Sequence, residues 1–487
     1  MAHYNPARTG TGWRLEIGEV VIDAESPYRD RGAIRATLTV RRKGIIKHRD
    51  SVNLTSVKSR ARLIRALARK RVKVRERALI ALDEACRTGR DRPEQDQRDG
   101  SPDISEMPPL DLAGLLSVFK KWLLIADDAL LPVFVGAILA HRLGGEPVWL
   151  LIVGPPGATK TELLRSLYGY PGIYALSDLT ARTFASGLDR GDPSLLSRVT
   201  DGILVLKDFT TILTAPSEEQ QAILGQLREI YDGRFDKVWG NARELHWEGR
   251  LGFAAGVTYI IDRHQVAMAT LGERFVTLRV IMPDRHEMAR YALRSRDKRV
   301  KMRGELATAM HGFLRSRGNL RPTMDADVLD TLSTVADFIT RARSPVHRDG
   351  RGRELQYAPV AEAPTRFVKV LASLGSGIAL AHDSRVVGRR ELRLVLRVAL
   401  DCVPPIRRQV IDALLHDGMA RAHDRGLRAT VIAKGARCSL SAVRRALEDL
   451  HALRVVRRRK GQPEFTWCLK EQFIGVMRIL FTGREAA

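Results

Sequence analysis

The chain has 487 residues, 44% hydrophobic and 28% charged, enough to bury the cores of two to four domains and unlike a disordered composition. A formal net charge of +25 favours a polyanionic partner, with nucleic acid ahead of an anionic membrane surface. The four cysteines, Cys86, Cys402, Cys438 and Cys468, form no CxxC or Cys/His cluster, and no apolar signal core or run of about 18 uncharged apolar residues occurs, so a soluble, cytoplasmic protein without disulfides, zinc or a membrane partner is expected.

The first segment reads as strands followed by helices. "IRATLTVRRKGIIKHRDSVNLT" alternates apolar and polar residues on either side of Lys43-Gly44, a hairpin turn. The following stretch has helical spacing, with Leu63, Ile64 and Leu67 on one face and Ala78, Leu79 and Leu82 on a second. Its many arginines fit either a solvated helix face or a nucleic-acid contact. Residues 1–90 are thus expected to form a small α+β domain, and the polar, Pro/Gly/Asp-rich residues 91–109 a linker.

Two apolar helices, "LDLAGLLSVFKKWLLIAD" and "LLPVFVGAILAHRLG", then lead into the strand "PVWLLIVG". From Pro147 to about Pro283, strand-like runs alternate with amphipathic segments, the grammar of a parallel sheet with helices on its faces. Residues 110–300 therefore read as an α/β core with leading helices, 301–405 as a mostly helical region, and 406–487 as a separate helix-helix-hairpin domain.

"GPPGATKT" ends the strand "VWLLIV" and opens the helix "TELLRSLYG". In such a phosphate loop, glycines turn backbone N–H groups toward an anion at a helix N-terminus. Gly154, Pro155, Pro156, Gly157, Ala158, Thr159, Lys160 and Thr161 would cradle a nucleotide, with Lys160 on the β- and γ-phosphates and the Thr161 hydroxyl on Mg²⁺. The Walker A pattern asks for glycine where Thr159 stands, and a β-branched residue there places a Cβ where the backbone should approach the phosphates. Slower nucleotide handling is expected, not a lost site.

About 45 residues downstream, "DGILVLKDF" is an apolar strand ending in Lys207-Asp208-Phe209. Asp208, at the tip of a neighbouring strand, would hold Mg²⁺ or orient the attacking water. The alternative is a buried strand capped by an incidental charged pair.

The stretch from Val148 to about Leu400 resembles an AAA+ ATPase. Within that class it is similar to minichromosome-maintenance-like helicases and to ATPases of phages and integrative elements. The resemblance takes "GPPGATKT" as Walker A and "LVLKDF" as Walker B. It implies that Thr258, ending "LGFAAGVT", is the sensor 1 residue, that Arg274 of "LGERF" is an arginine finger, and that Arg366 of "EAPTRFVKVLASLGSGIALAH" is sensor 2 on a helical lid. It further implies ATP and Mg²⁺ as cofactors and a hexameric ring, since a finger is normally supplied in trans. With Phe209 in register, Lys207 takes the metal-aspartate position and Asp208 the catalytic-glutamate position. With Asp208 as metal ligand, Phe209 stands where the glutamate should be. One carboxylate of the usual pair is missing either way. Glu229 is a substitute carboxylate or a surface residue. Arg274 also fits a surface ion pair with Glu273 or another acid.

Between these elements, Tyr231 to Arg250 mixes aromatics with arginines, as a channel loop touching DNA or as a surface hairpin in which Trp239 and Trp247 pack locally. The C-terminal segment resembles a winged helix-turn-helix, a DNA-binding or protein-protein module. Ser439 or Ser441 would cap its third helix. Arg444 and Arg445 would meet base edges, and Arg457, Arg458, Arg459 and Lys460 would populate a wing with its turn near Gly461. From Arg421 to Lys460, twelve Lys/Arg face three acids, so the excess is local.

Together these features describe a DNA-dependent ATPase, a ring-forming replicative helicase or translocase of a phage or mobile element with a replication partner such as a primase. The alternative is a nucleotide-gated DNA-binding initiator or loader with little turnover. An activator-type AAA+ transcription factor lacks support, because no GAFTGA-like loop follows the Walker A helix.

Overall fold

The computed structural model describes residues 6–9, 12–30, 33–43, 45–70, 72, 74–91, 109–157, 159–186, 194–239, 244–264, 268, 274–282, 284–349, 354, 357–416, 426–460 and 465–475. The chain divides into two compact units, Met1–Asp99 and Gly100–Ala487. Most of the expected linker, residues 92–108, lies outside the described residues.

In the first unit, the alternation around Lys43 becomes part of an antiparallel meander. Its strands β1 (Ala7–Thr9), β2 (Gly12–Ile17), β3 (Val20–Asp30), β4 (Ala33–Arg42) and β5 (Ile45–Asn53) pair in sequence order, as short connections dictate. Lys43 takes a positive φ at the β4–β5 turn. Helices α1 (Val57–Arg69) and α2 (Glu76–Asp91) cover one face, burying Leu63, Leu67, Ala78, Leu79 and Leu82 against Leu15, Ile22, Leu38 and Val40. Ile64 is only partly buried at the edge of this core.

The second unit is mixed α/β, with a five-stranded parallel sheet flanked by helices. Helices α3 (Leu112–Trp122) and α4 (Leu130–Arg142) precede β6 (Trp149–Val153), and α5 (Lys160–Arg165), β7 (Ile173–Leu176), α6 (Ala181–Phe184) and β8 (Asp201–Leu206) follow. Next come α7 (Thr210–Leu213), α8 (Ser217–Tyr231), the hairpin β9 (Arg234–Val238) and β10 (Glu244–Glu248), then β11 (Arg250–Val257) and β12 (Phe275–Arg279). The sheet order is β12-β6-β11-β8-β7, all parallel.

Parallel strands covered on both faces lose polar alternation, and β6 is buried throughout. Leu150 and Ile152 enter one hydrophobic cluster, while Trp149, Leu151 and Val153 enter the other on the opposite face. On the first face α4, apolar all round, packs against the helix Pro364–Ala381. The approach is close enough that a Cβ on Gly377 would run into the Gly136 carbonyl.

The expected lid and C-terminal domain are not separate compact units. The helices Arg299–Ser316, Ala326–Arg343, Pro364–Ala381 and Arg389–Asp401 share one continuous cluster with the C-terminal helices Pro405–His416, Ala429–Ala436 and Leu440–Ala452. The last three carry a small antiparallel sheet of β13 (Leu427–Arg428), β15 (Thr466–Leu469) and β14 (Val456–Arg459), in that order. Phe473 reaches back to Phe338, their ring centres 5.2 Å apart. Arg407 donates to the carbonyls of Ala342 and Ser344 and to Asp449, so buried polar groups as well as apolar area join the two regions. No described helix is long and apolar enough to cross a membrane.

Candidate nucleotide site

At the C-terminal edge of the parallel sheet, strand tips β6, β11 and β8 bring together residues distant in sequence. β6 ends in the loop of Gly154, Pro155, Pro156, Gly157, Thr159, Lys160 and Thr161; Ala158 lies outside the described residues. The loop is tied to the sheet where Gly154 N–H donates to the Val257 carbonyl, 3.1 Å away. Gly157 turns at φ 80°, with open space where a Cβ would stand.

Thr159 shows why glycine was expected there. Its φ is 39°, so the obstacle is the backbone itself: a β-branched residue occupies the left-handed region, at a cost of order 1–3 kcal/mol. Sequence reasoning located the conflict in crowding of phosphates, and backbone strain is the larger structural fact.

Lys160 folds back into the loop, and its Nζ donates to the carbonyls of Gly154 at 2.7 Å and Pro155 at 2.6 Å. The residue is 8% exposed, and no described carboxylate lies within ion-pair distance of it. Burial lowers its pKa, and the negative charge of Asp208 acts in the opposite direction. A buried ammonium held only by carbonyl dipoles lacks the counter-charge that buried ions usually have.

Asp208 follows β8 and is exposed. One of its oxygens, Oδ1, accepts the Thr210 N–H at 2.9 Å, which aims the carboxylate without neutralising it. The expectation that Asp208 stands on a strand adjoining the loop strand is corrected: β11 lies between β8 and β6. Its tip residue, Thr258, bridges the gap. Thr258 N–H donates to Thr210 Oγ1 at 3.2 Å, and the two hydroxyls lie 3.3 Å apart. Phe209 N–H also donates to the Gly256 carbonyl at 2.7 Å, fixing the β8 tip against β11. The Phe209 ring is wholly buried among Phe253 and Phe275, so it turns away from the loop. Asp208 is therefore the carboxylate that the Lys207-Asp208-Phe209 tip presents to solvent. Glu229 is exposed on α8.

The donors suit a magnesium nucleotide. Lys160 offers a buried positive charge to phosphate, while the Thr161 hydroxyl, which makes no hydrogen bond to a described residue, and the other Asp208 oxygen are the oxygen ligands a hard cation takes.

Arg274 and Arg366 lie at the opposite edge. Arg274 immediately precedes β12, whose Phe275 is in register with Trp149 at the start of β6, whereas the phosphate loop follows Val153 at its end. Five residues of strand, roughly 16 Å, separate the two edges. Arg274 is 3% exposed and grips Asp232 through Nη2, 2.7 and 2.6 Å from its two oxygens. Its guanidinium lies 5.3 Å from the Tyr231 ring centre and that of Arg366 lies 5.9 Å away. The Tyr231 hydroxyl donates to Glu146 at 3.3 Å, and burial raises its pKa, with Glu146 adding to the rise and the two arginines opposing it. Arg366, expected as sensor 2 on a helical lid, lies beside Tyr231. The surface pair expected for Arg274 involves Asp232; Glu273 lies outside the described residues.

The same edge carries His141, 3.2 Å from Asp201 at the head of β8. Its pKa is lowered to about 4, by burial first and then by Arg250.

In the β9–β10 hairpin, Trp247 is buried and donates to the Val199 carbonyl at 2.7 Å, the local packing that was one of its two readings. Trp239 is partly buried under Lys237, and the hairpin tip, 240–243, lies outside the described residues.

In the C-terminal region Ser439 is the cap, its side chain accepting the Ala442 N–H. Arg444, Arg445, Arg458 and Lys460 are exposed. Arg457 is committed to Glu471 at 2.9 Å and to Cys468, Arg458 stacks on Phe465, and Arg459 is partly buried. The expected turn at Gly461 lies outside the described residues.

In comparisons with known proteins, no family model and no curated protein matches the chain by sequence.

Proposed function

We propose that this chain is a DNA-dependent ATPase of the AAA+ type, a ring-forming replicative helicase or translocase of a phage or mobile element, with a C-terminal winged helix-turn-helix. The observation that carries the reading is Lys160: a buried ammonium with no described carboxylate in contact, after a parallel strand whose next two neighbours end at Thr258 and Asp208. A nucleotide phosphate supplies the missing counter-charge. Thr161 and Asp208 hold Mg²⁺, which withdraws charge from the phosphates, and Thr258 keeps Asp208 in place through Thr210.

Arg274 and Arg366 stand at the far sheet edge, so neither serves its own loop. In the proposed hexamer both face the neighbour's nucleotide, and Arg274 exchanges Asp232 for phosphate on assembly. DNA is held by Arg444 and Arg445 on the helix Leu440–Ala452 and by Arg458 and Lys460 on the wing. Arg457 and Arg459 contribute less, since one is already ion-paired and the other is partly buried.

A second reading, a nucleotide-gated initiator or loader, is favoured by the burial of Phe209, which leaves the strand tip with one carboxylate and the water with no second base. ATP hydrolysis with and without single-stranded and duplex DNA separates the two. DNA-stimulated turnover lost in Lys160→Ala and Arg274→Ala supports the motor. Tight ATP binding and DNA assembly without turnover support the switch, and absence of nucleotide binding in the wild type sinks both.

A further inference from the structure

The first unit carries a basic surface of different construction from the C-terminal one. Lys58, Arg62, Arg65 and Arg69 of α1 are spaced four, three and four residues apart, so they form one stripe along the helix. All four are exposed, while Arg60, Leu63 and Leu67 on the opposite side are buried against the sheet. The stripe runs over twelve residues, roughly 16 Å of helix.

Helix α1 has no acidic residue, and none of the four cations has a described carboxylate within ion-pair distance. Several other cations of this unit are ion-paired: Arg41 with Asp23, Arg42 and Lys43 with Glu19, and Arg60 with Glu76. Like charges at helical spacing repel one another, so an unrelieved stripe costs helix stability unless a polyanion lies on it. The surface extends past the helix, because Lys70 meets His48 of the edge strand β5, 3.4 Å away.

We infer that the exposed face of α1 with the β5 edge is a second nucleic-acid surface, binding the phosphate backbone without reading sequence. Long cations on a rigid helix match a line of phosphates, whereas the face has no acceptor or aromatic group on α1 with which to distinguish bases. The apolar side of α1 is used in the core, so the helix has no free apolar face to sink into a lipid surface. This surface is independent of the nucleotide site.

The test uses the full chain without nucleotide, titrated with a labelled mixed-sequence duplex over a salt series. Variants are Arg62→Gln/Arg65→Gln/Arg69→Gln and the corresponding triple lysine substitution, each also made with Arg444, Arg445, Arg458 and Lys460 replaced by alanine. The glutamine variant should melt no lower than the wild type, bind at least tenfold more weakly at low salt, and flatten the log–log salt slope by about 2–3, at roughly 0.9 for each phosphate no longer neutralised. The lysine variant should retain binding. Unchanged affinity and slope for the glutamine variant in both backgrounds overturns the inference. So does loss of binding to phosphatidylserine vesicles with duplex binding intact, which assigns the stripe to a membrane.

Discussion

The two edges of the parallel sheet both hold paired charges, Arg274 with Asp232 at one and Arg279 with Asp262 at the other, and differ at Lys160. At the N-terminal edge the buried polar groups are met by carboxylates: Arg274 grips Asp232, Tyr231 reaches Glu146, and His141 lies on Asp201. At the C-terminal edge Lys160 is buried against carbonyl dipoles, Asp208 is exposed, and Thr159 holds a strained backbone. Charge left unmatched and backbone left strained are features a fold retains where a ligand or reaction uses them. Lys160 and Thr159 mark the C-terminal edge as the candidate site.

The largest effect should come from the C-terminal edge. Lys160→Ala should weaken ADP and ATP binding at least 100-fold by calorimetry, about 3 kcal/mol, since two or more charge-assisted bonds to phosphate are lost. Unchanged affinity would remove the site from this edge. Because burial lowers the Lys160 pKa, its ammonium should begin to deprotonate at a lower pH than an ordinary lysine. Nucleotide affinity should therefore fall on the alkaline side earlier than for the Lys160→Arg variant.

A comparable effect is expected from the N-terminal edge in acid. His141 has a folded pKa of about 4 against 6.5 unfolded, so below pH 6.5 the unfolded chain takes up a proton that the folded chain refuses. Stability should fall progressively from pH 6.5 to 4, by about 3 kcal/mol. Chemical denaturation of His141→Gln across this range should show a flatter profile; an identical profile would assign the acid sensitivity to other groups.

Next in size is the Arg274 clamp. Asp232→Asn leaves the guanidinium without its ion-pair partner, and because Asp232 is 48% exposed the loss should be about 2 kcal/mol, not the larger figure of a fully buried pair. Mixing Lys160→Ala with Arg274→Ala chains puts the contrast between the edges to a direct test. Turnover regained in the mixture means that the N-terminal edge of one copy completes the C-terminal edge of another. Failure to regain it, with both variants folded and assembled, confines Arg274 to its clamp.

Thr159→Gly should give the smallest change, a gain of about 1 kcal/mol in stability from relief of the left-handed threonine. Faster turnover should accompany it. A fall in turnover with the stability gain intact would mean that the threonine side chain is used by the reaction.

Much of this arrangement was legible in the chain. The apolar runs of β6, β8 and β11, the loop between Gly154 and Thr161, and a serine cap at 439 or 441 follow from local pattern, because period, turn chemistry and capping act over a few residues. Alternation at Lys43 and the spacing of Leu63 with Leu67 likewise placed the first unit's core.

Strand order was not legible, since any of several orders satisfies the same apolar runs, and only packing inserted β11 between β6 and β8. Nor was the fate of single arginines. Arg274 read as a finger or as an ion-paired residue, and folding set Asp232 on it and Tyr231 beside both it and Arg366. Nor were the contacts between the lid helices and the C-terminal region, because surface shared through Phe338, Phe473 and Arg407 has no signature in the linear order. Linear order dictated which groups are available and where the chain turns. Which charges are met was settled only in three dimensions, because matching a charge requires a partner brought close in space from a distant point of the chain.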